Sequence, residues 1–215
     1  MWSVGVVYAE VPSSPLRIYS QSLYHSNSLS TQLRSAFTKD RVEVYTALSE
    51  ASVWVQTASY DLDYYQNQAW IGAEWSPAPR FTSNLQFQYS WADNNHLDSL
   101  TLSFHDLFGI GQNGRKSTAK HQFNIDSDTY NIHINDFENE LMSKAVHGYL
   151  QYTFWESSID AFSIGGSLYY NHVGSGPFQT SSFEQGIQAN YSIINGPFSL
   201  LRLWVSTTGK QTAWL

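Results

Sequence analysis

His105 and Asp106 stand side by side, followed by Gly109, Gly111 and Gly114 and then Arg115. A histidine oriented by a carboxylate can serve as the base for a serine nucleophile. Neighbouring residues of a strand point to opposite faces, so this pair forms a couple only if the chain bends there. The three glycines predict a sharply folded loop in which Arg115 pairs with Asp106 or Asp98, a structural role first and a binding role second. Tyr24-His25-Ser26-Asn27 sets a second histidine against a serine. A working pair on one strand face would be spaced by two, and neither His25/Ser26 nor His25 with Asn27 and Ser28 meets that need. His121, His133, Asp136, Glu138 and Glu140 could gather in a loop, the acids at spacings that suit Ca²⁺. The Asp/Asn pattern and central glycine of an EF-hand loop are missing, so we expect a solvated acidic loop, no metal and no other cofactor. The chain has no cysteine, which excludes disulfides and thiolate chemistry.

Composition says what kind of scaffold must hold these groups. Charged residues make up 13% of the 215, about half the usual share, while 16% are aromatic. Mean hydropathy is nevertheless −0.34, because Ser, Thr, Asn and Gln stand where charges would. No run approaches the ~20 apolar residues of a membrane helix. The net charge of −7 leaves no basic stripe for phosphates, so nucleic acid is excluded as a partner. Few charges, many aromatics and neutral polar residues together suit a wall that alternates between lipid and a polar interior.

Alternation dominates the chain. Phe81, Leu85, Phe87, Tyr89 and Trp91 share one face, and Thr82, Asn84, Gln86, Gln88 and Ser90 the other. The same rhythm recurs at Val42–Leu48, Ala69–Trp75, Leu100–His105, Val146–Phe154, Phe162–Asn171 and Ile187–Ile193, in segments of about 8–11 residues. Phe81, Trp91, Trp155, Tyr191 and Trp204 mark segment ends, where aromatic girdles belong. Gln86, Gln88, Gln151, Gln188, Asn190, Ser163, Ser167, Glu43, Arg34 and Arg41 are expected to face inward. The fold expected is all-β: an antiparallel up-and-down transmembrane β-barrel of about ten strands, within 8–12, incomplete in this chain.

Short turn-rich links fall at Thr38-Lys39-Asp40, 76–80, 156–160 and Asn195-Gly196-Pro197, with longer polar stretches between them. We divide the chain into residues 1–9, the truncated remnant of a signal peptide, residues 10–28, an N-terminal extension, and residues 29–215, the barrel with a long loop at 105–145. That loop is expected to hold a hairpin, His121-Phe123-Ile125 and Tyr130-Ile132-Ile134 about an Asp126-Ser127-Asp128 turn, with a helical turn or two across 136–146.

Phe104-His105-Asp106-Leu107-Phe108-Gly109-Ile110, followed by Asn113-Gly114-Arg115, resembles the motif of an uncharacterised proteobacterial family, His-Asp-x-Phe-Gly-(Leu/Ile) and then Gly-Arg. The resemblance covers residues 40 to 200 and departs from the family at Gly111, where a proline is usual. It implies a signal peptide, a Gram-negative outer-membrane location, insertion by the barrel-assembly machinery, and outer-membrane lipid and lipopolysaccharide as surroundings. It brings no reaction. His105, Asp106, Phe108, Gly109, Gly114 and Arg115 are the candidate binding residues it marks, and no residue is assigned as catalytic. The resemblance also implies a longer chain, and residues 209–215 do not look like a closing strand. The function expected is a non-enzymatic one: structural, binding, or limited permeation of small solutes. The rivals are an outer-membrane lipid or lipopolysaccharide hydrolase using His105 or His147, and a secreted soluble β-sandwich that binds carbohydrate. The sequence leaves the oligomeric state open.

Overall fold

Strict alternation delivers strands. The computed structural model describes residues 28–29, 31–94, 103–104, 106–109 and 122–193, and the backbone of 194–195 and 198–210. Nine strands form: β1 (Glu43–Gln56), β2 (Asp61–Trp75), β3 (Phe81–Trp91), β4 (Asn124–Ser127), β5 (Ile132–Asn135), β6 (Leu141–Glu156), β7 (Asp160–Val173), β8 (Thr180–Asn195) and β9 (Phe198–Lys210). They join in one antiparallel sheet, so these strands do not build a two-layered sandwich. The seven long strands pair in the order β1-β2-β3-β6-β7-β8-β9, and the β4–β5 hairpin lies against the first residues of β2. β3 has the 11 residues read from the sequence, whereas β2, β6, β7 and β8, at 14–16 residues, outrun their segments.

One end of the sheet carries tight turns. Phe81 donates to the carbonyl of Ala78 at 3.0 Å, Arg80 takes a φ of 66° to close that turn, and Ser157 bonds Asp160 across the next. The opposite end carries the 92–123 connection, the 174–179 loop and the β4–β5 hairpin. β1 and β9 both run from the turn end to the loop end, because seven antiparallel strands leave the two edges parallel. Among the described residues no ladder joins them.

The two faces of the sheet invert the usual arrangement. Thr82, Asn84, Gln86 and Ser90 of β3 are buried, while Leu85, Phe87 and Tyr89 between them are exposed. β6 follows suit, with His147, Tyr149, Gln151 and Thr153 buried and Val146, Leu150 and Phe154 exposed. Among the described residues an apolar core exists only locally, at the loop end, where Tyr64, Tyr65, Phe123, Ile125, Phe137 and Phe178 cluster.

Three expectations are corrected. The helical turn across 136–146 gives way to β6 from Leu141 onward, because ladders to β3 and β7 on either side outweigh local preference. The strand expected at 100–105 is helical at Ser103–Phe104 and Asp106–Phe108, where Phe104 and Phe108, four apart, bring ring centroids to 4.6 Å. The turn at 38–40 holds a buried residue: Lys39 is 2% exposed, whereas Arg41, expected inside, is exposed at the sheet's rim.

Candidate functional site

The buried polar face owes its shape to two tyrosines and two glycines. Tyr45 of β1 lies across Gly72 of β2 and meets Gln86 and Asn84 of β3, each at 3.1 Å. Tyr149 of β6 lies across Gly165 of β7 and meets Asn190 of β8 at 3.1 Å. A Cβ on Gly72 would fall 2.4 Å from the Tyr45 ring, and one on Gly165 would fall 2.2 Å from the Tyr149 hydroxyl. Glycine is what lets each ring bridge to the second strand over. Side chains two strands apart thus converge, and the polar face is concave.

Residues 31–39 occupy that concavity. This segment starts near the loop end, where the Leu29 amide donates to Glu184, and finishes at the turn end, where the Thr38 hydroxyl donates to Glu156 at 2.7 Å. Wall side chains satisfy its backbone. Gln188 donates to the carbonyl of Gln32 and Gln151 to that of Ser35, both at 3.0 Å. Ser192 accepts from the amide of Ala36 and Thr153 donates to its carbonyl, both at 2.9 Å. The neutral amides and hydroxyls of the wall therefore stand in for the water or the sheet neighbour that an extended backbone needs.

Charge locks the segment in place. Glu43 and Glu74 face one another on β1 and β2, a repulsive pairing by itself. Lys39 resolves it, donating to Glu43 at 2.8 Å and to Glu74 at 2.9 Å. The Arg34 guanidinium stands 3.6 Å from Glu74, donates to Gln32 at 3.0 Å and lies 4.1 Å from the centre of the Tyr149 ring. Two cations on the segment thus offset two carboxylates on the wall. Beside the segment a cavity of about 30 Å³, lined by Gln32, Gln86, Gln88, His147 and Tyr169, has room for about two waters.

Of the inward set read from the sequence, the glutamines, Asn190, Ser163, Ser167 and Glu43 lie on the concave side. Arg34 is also inside, but on the enclosed segment and not on the wall. His147 faces inward and is buried; its Nε2 has no hydrogen-bond partner among the described residues. Asp106, Phe108 and Gly109 are exposed, with Gly109 at a φ of 64° and its amide 3.4 Å from the Asp106 carbonyl. His105, Gly111, Gly114, Arg115 and Asp98 lie outside the described residues, as do His25, Ser26, Asn27, His121 and residues 1–9. Of the acids weighed for a loop metal, Asp136 and Glu138 are exposed, and among the described residues the group whose ligand atoms lie together is a different one, Asp126, Asp128 and His133 across the β4–β5 hairpin. Sequence reasoning missed the partnership of Lys39 and Glu74; the signal was a lone glutamate on a face of β2 that otherwise carries Tyr64, Gln66, Gln68, Trp70 and Gly72.

Fold and interior together define a single-sheet all-β protein whose polar face is packed by a segment of its own chain. The chain belongs to the family described as a protein of unknown function (DUF3187), which matches residues 6–213. No curated protein and no solved structure matches it.

Proposed function

We propose that the chain is the wall of a β-barrel in the outer membrane of a Gram-negative bacterium, with a structural, binding or limited permeation role and no reaction of its own. One observation carries this reading: the large apolar side chains of the strands are exposed while the polar ones are buried. Val44 is 71% exposed, Ile187 65%, Leu48 64% and Leu168 55%, on the outer face of one sheet. Soluble monomers rarely show a contiguous apolar patch beyond a few hundred Å². Lipid makes the same face favourable.

Aromatic placement agrees. Phe81, Tyr152, Phe154 and Phe162 form a row near the turn end with ring centroids 4.9–6.3 Å apart. Tyr89 and Trp91, 5.7 Å apart, lie toward the loop end together with Tyr170. From Phe81 to Trp91 is about 34 Å along the strand, or about 26 Å of height at a tilt of roughly 40°, close to the apolar band of such barrels. Backbone at an open edge has no partner in hydrocarbon, so the reading requires closure, by a direct parallel β1–β9 pairing or by one more strand descending between them. Its surroundings would be outer-membrane lipid and lipopolysaccharide, reached through the barrel-assembly machinery.

The test is to fractionate cells expressing the full-length gene and to run boiled and unboiled membrane samples side by side on SDS gels. A detergent-requiring protein whose mobility shifts on boiling supports the closed barrel. A protein soluble without detergent and showing no shift refutes it.

A further inference from the structure

We propose that residues 31–39 are a removable plug and that the wall around them, once vacated, conducts small cations. The inference rests on the membrane reading above and gives the permeation part of it a residue-level form. Three observations carry it. First, the segment fills the concavity along its length, touching β2, β3, β6 and β8 through Glu74, Asn84, Thr153 and Ser192. With it seated, the cavity beside it among the described residues is about 30 Å³, room for about two waters.

Second, the segment belongs to no ladder of the sheet among the described residues; its one strand-like feature is an isolated bridge at Leu33. Its backbone is held by Gln151, Thr153, Gln188 and Ser192 side chains, groups that water or a hydrated solute satisfies equally well when the segment leaves. A wall of neutral amides and hydroxyls is stable wet, which an apolar core is not.

Third, the charges are divided unequally. Among the side chains described, the cations facing the concavity, Arg34 and Lys39, are both on the segment, whereas Glu43, Glu74 and Glu184 are on the wall. Drawing the segment out strips the wall of its counter-charge and leaves a carboxylate pair, Glu43 and Glu74, near the turn end and Glu184 near the loop end, an acidic lining that favours cations.

The chain has no cysteine, so an introduced pair is the sole thiol chemistry. The Ser192 hydroxyl lies 2.9 Å from the amide of Ala36, which makes Ala36→Cys with Ser192→Cys a lock between plug and wall. The experiment compares four purified full-length proteins in planar bilayers under a KCl gradient: the natural chain, Arg34→Ala/Lys39→Ala, that variant with the lock, and the lock alone. The natural chain is expected to be nearly silent. Arg34→Ala/Lys39→Ala is expected to show at least tenfold more conductance, with a reversal potential favouring K⁺ over Cl⁻. In the locked variant that conductance vanishes on oxidation and returns on reduction. The lock alone provides a second readout, because openings forced by high voltage then disappear on oxidation. The proposal is overturned if heat-modifiable protein carrying Arg34→Ala/Lys39→Ala conducts no more than the natural chain, or if conductance ignores the redox state of the lock, or if it favours anions. Loss of heat modifiability in the natural chain instead overturns the membrane reading, and the plug as a gate falls with it.

Discussion

Glu74→Gln removes one charge from a group formed by Arg34, Lys39, Glu43 and Glu74. Glu74 is 1% exposed, with Lys39 at 2.9 Å and Arg34 at 3.6 Å. At an effective dielectric constant of about 20 those contacts are worth about 6 and 5 kcal/mol of Coulomb attraction. Most of that is offset by desolvation and by the repulsion from Glu43, which the substitution relieves. Removing one partner of a buried ion pair costs about 3–5 kcal/mol. Here Lys39 keeps Glu43 at 2.8 Å, and Arg34 keeps Gln32 at 3.0 Å and the Tyr149 ring, so the low end applies. We expect a loss of about 3 kcal/mol in urea unfolding followed by tryptophan fluorescence in detergent micelles. Arg34→Met/Lys39→Met/Glu74→Leu, which removes charge from both sides, should recover most of that loss. A Glu74→Gln protein within about 0.5 kcal/mol of the natural chain would refute the reasoning, since that is the range of an ordinary surface change.

Three further outcomes follow from the same geometry. Phe87→Arg, at mid-height on the outer face, should cost about 2–4 kcal/mol in lipid, while Tyr130→Arg, more exposed but at the loop end, should cost under about 1 kcal/mol; equal effects in reconstituted protein would count against a lipid-facing wall. Gln151→Leu strands the Ser35 carbonyl and the Tyr149 and Asn190 donors, which predicts a loss of about 1–3 kcal/mol and faster proteolysis within 31–39; unchanged cleavage would show that wall amides do not hold the segment. Gly165→Ala puts a methyl group where the Tyr149 hydroxyl lies, and the displaced ring should lower unfolding stability by about 1–3 kcal/mol, an effect that Tyr149→Phe would soften if the clash is with the hydroxyl.

The faces of β3, β6, β7 and β8 were legible residue by residue, because period two is the whole signal and each strand spans several periods. The β4–β5 hairpin was legible too, but its turn falls at 128–131 and not at 126–128. Asn131, at a φ of 52°, sets it, since asparagine tolerates that conformation and no glycine is at hand. β6 before Val146 was hidden because Leu141-Met142-Ser143-Lys144-Ala145 does not alternate and, following the acids at 136–140, reads by local preference as helix. The candidate site was legible by half. Gln151, Gln188 and Asn190 declared an interior and bond one another there, but nothing declared that Gln151 and Gln188 also hold a stretch of backbone. A backbone carbonyl looks the same at every position, so nothing in residues 31–39 announces what holds them. Lys39 between Thr38 and Asp40 reads as a turn for the same reason: its partners, Glu43 and Glu74, come from two strands.

The enclosed segment also sets an order of events in time. It lies near the start of the described chain, yet its partners on β8 lie 156 residues later. It continues directly into β1, so it is tethered beside the wall from the start, and the strands assemble around it. Until β8 arrives, Gln32 and Ala36 wait without their hydrogen bonds, and the cost of bringing such distant pieces together falls on the last step. Folding of this chain should therefore end with one slow enclosure that seats β8, after the β2–β3 and β6–β7 hairpins have formed quickly from near neighbours.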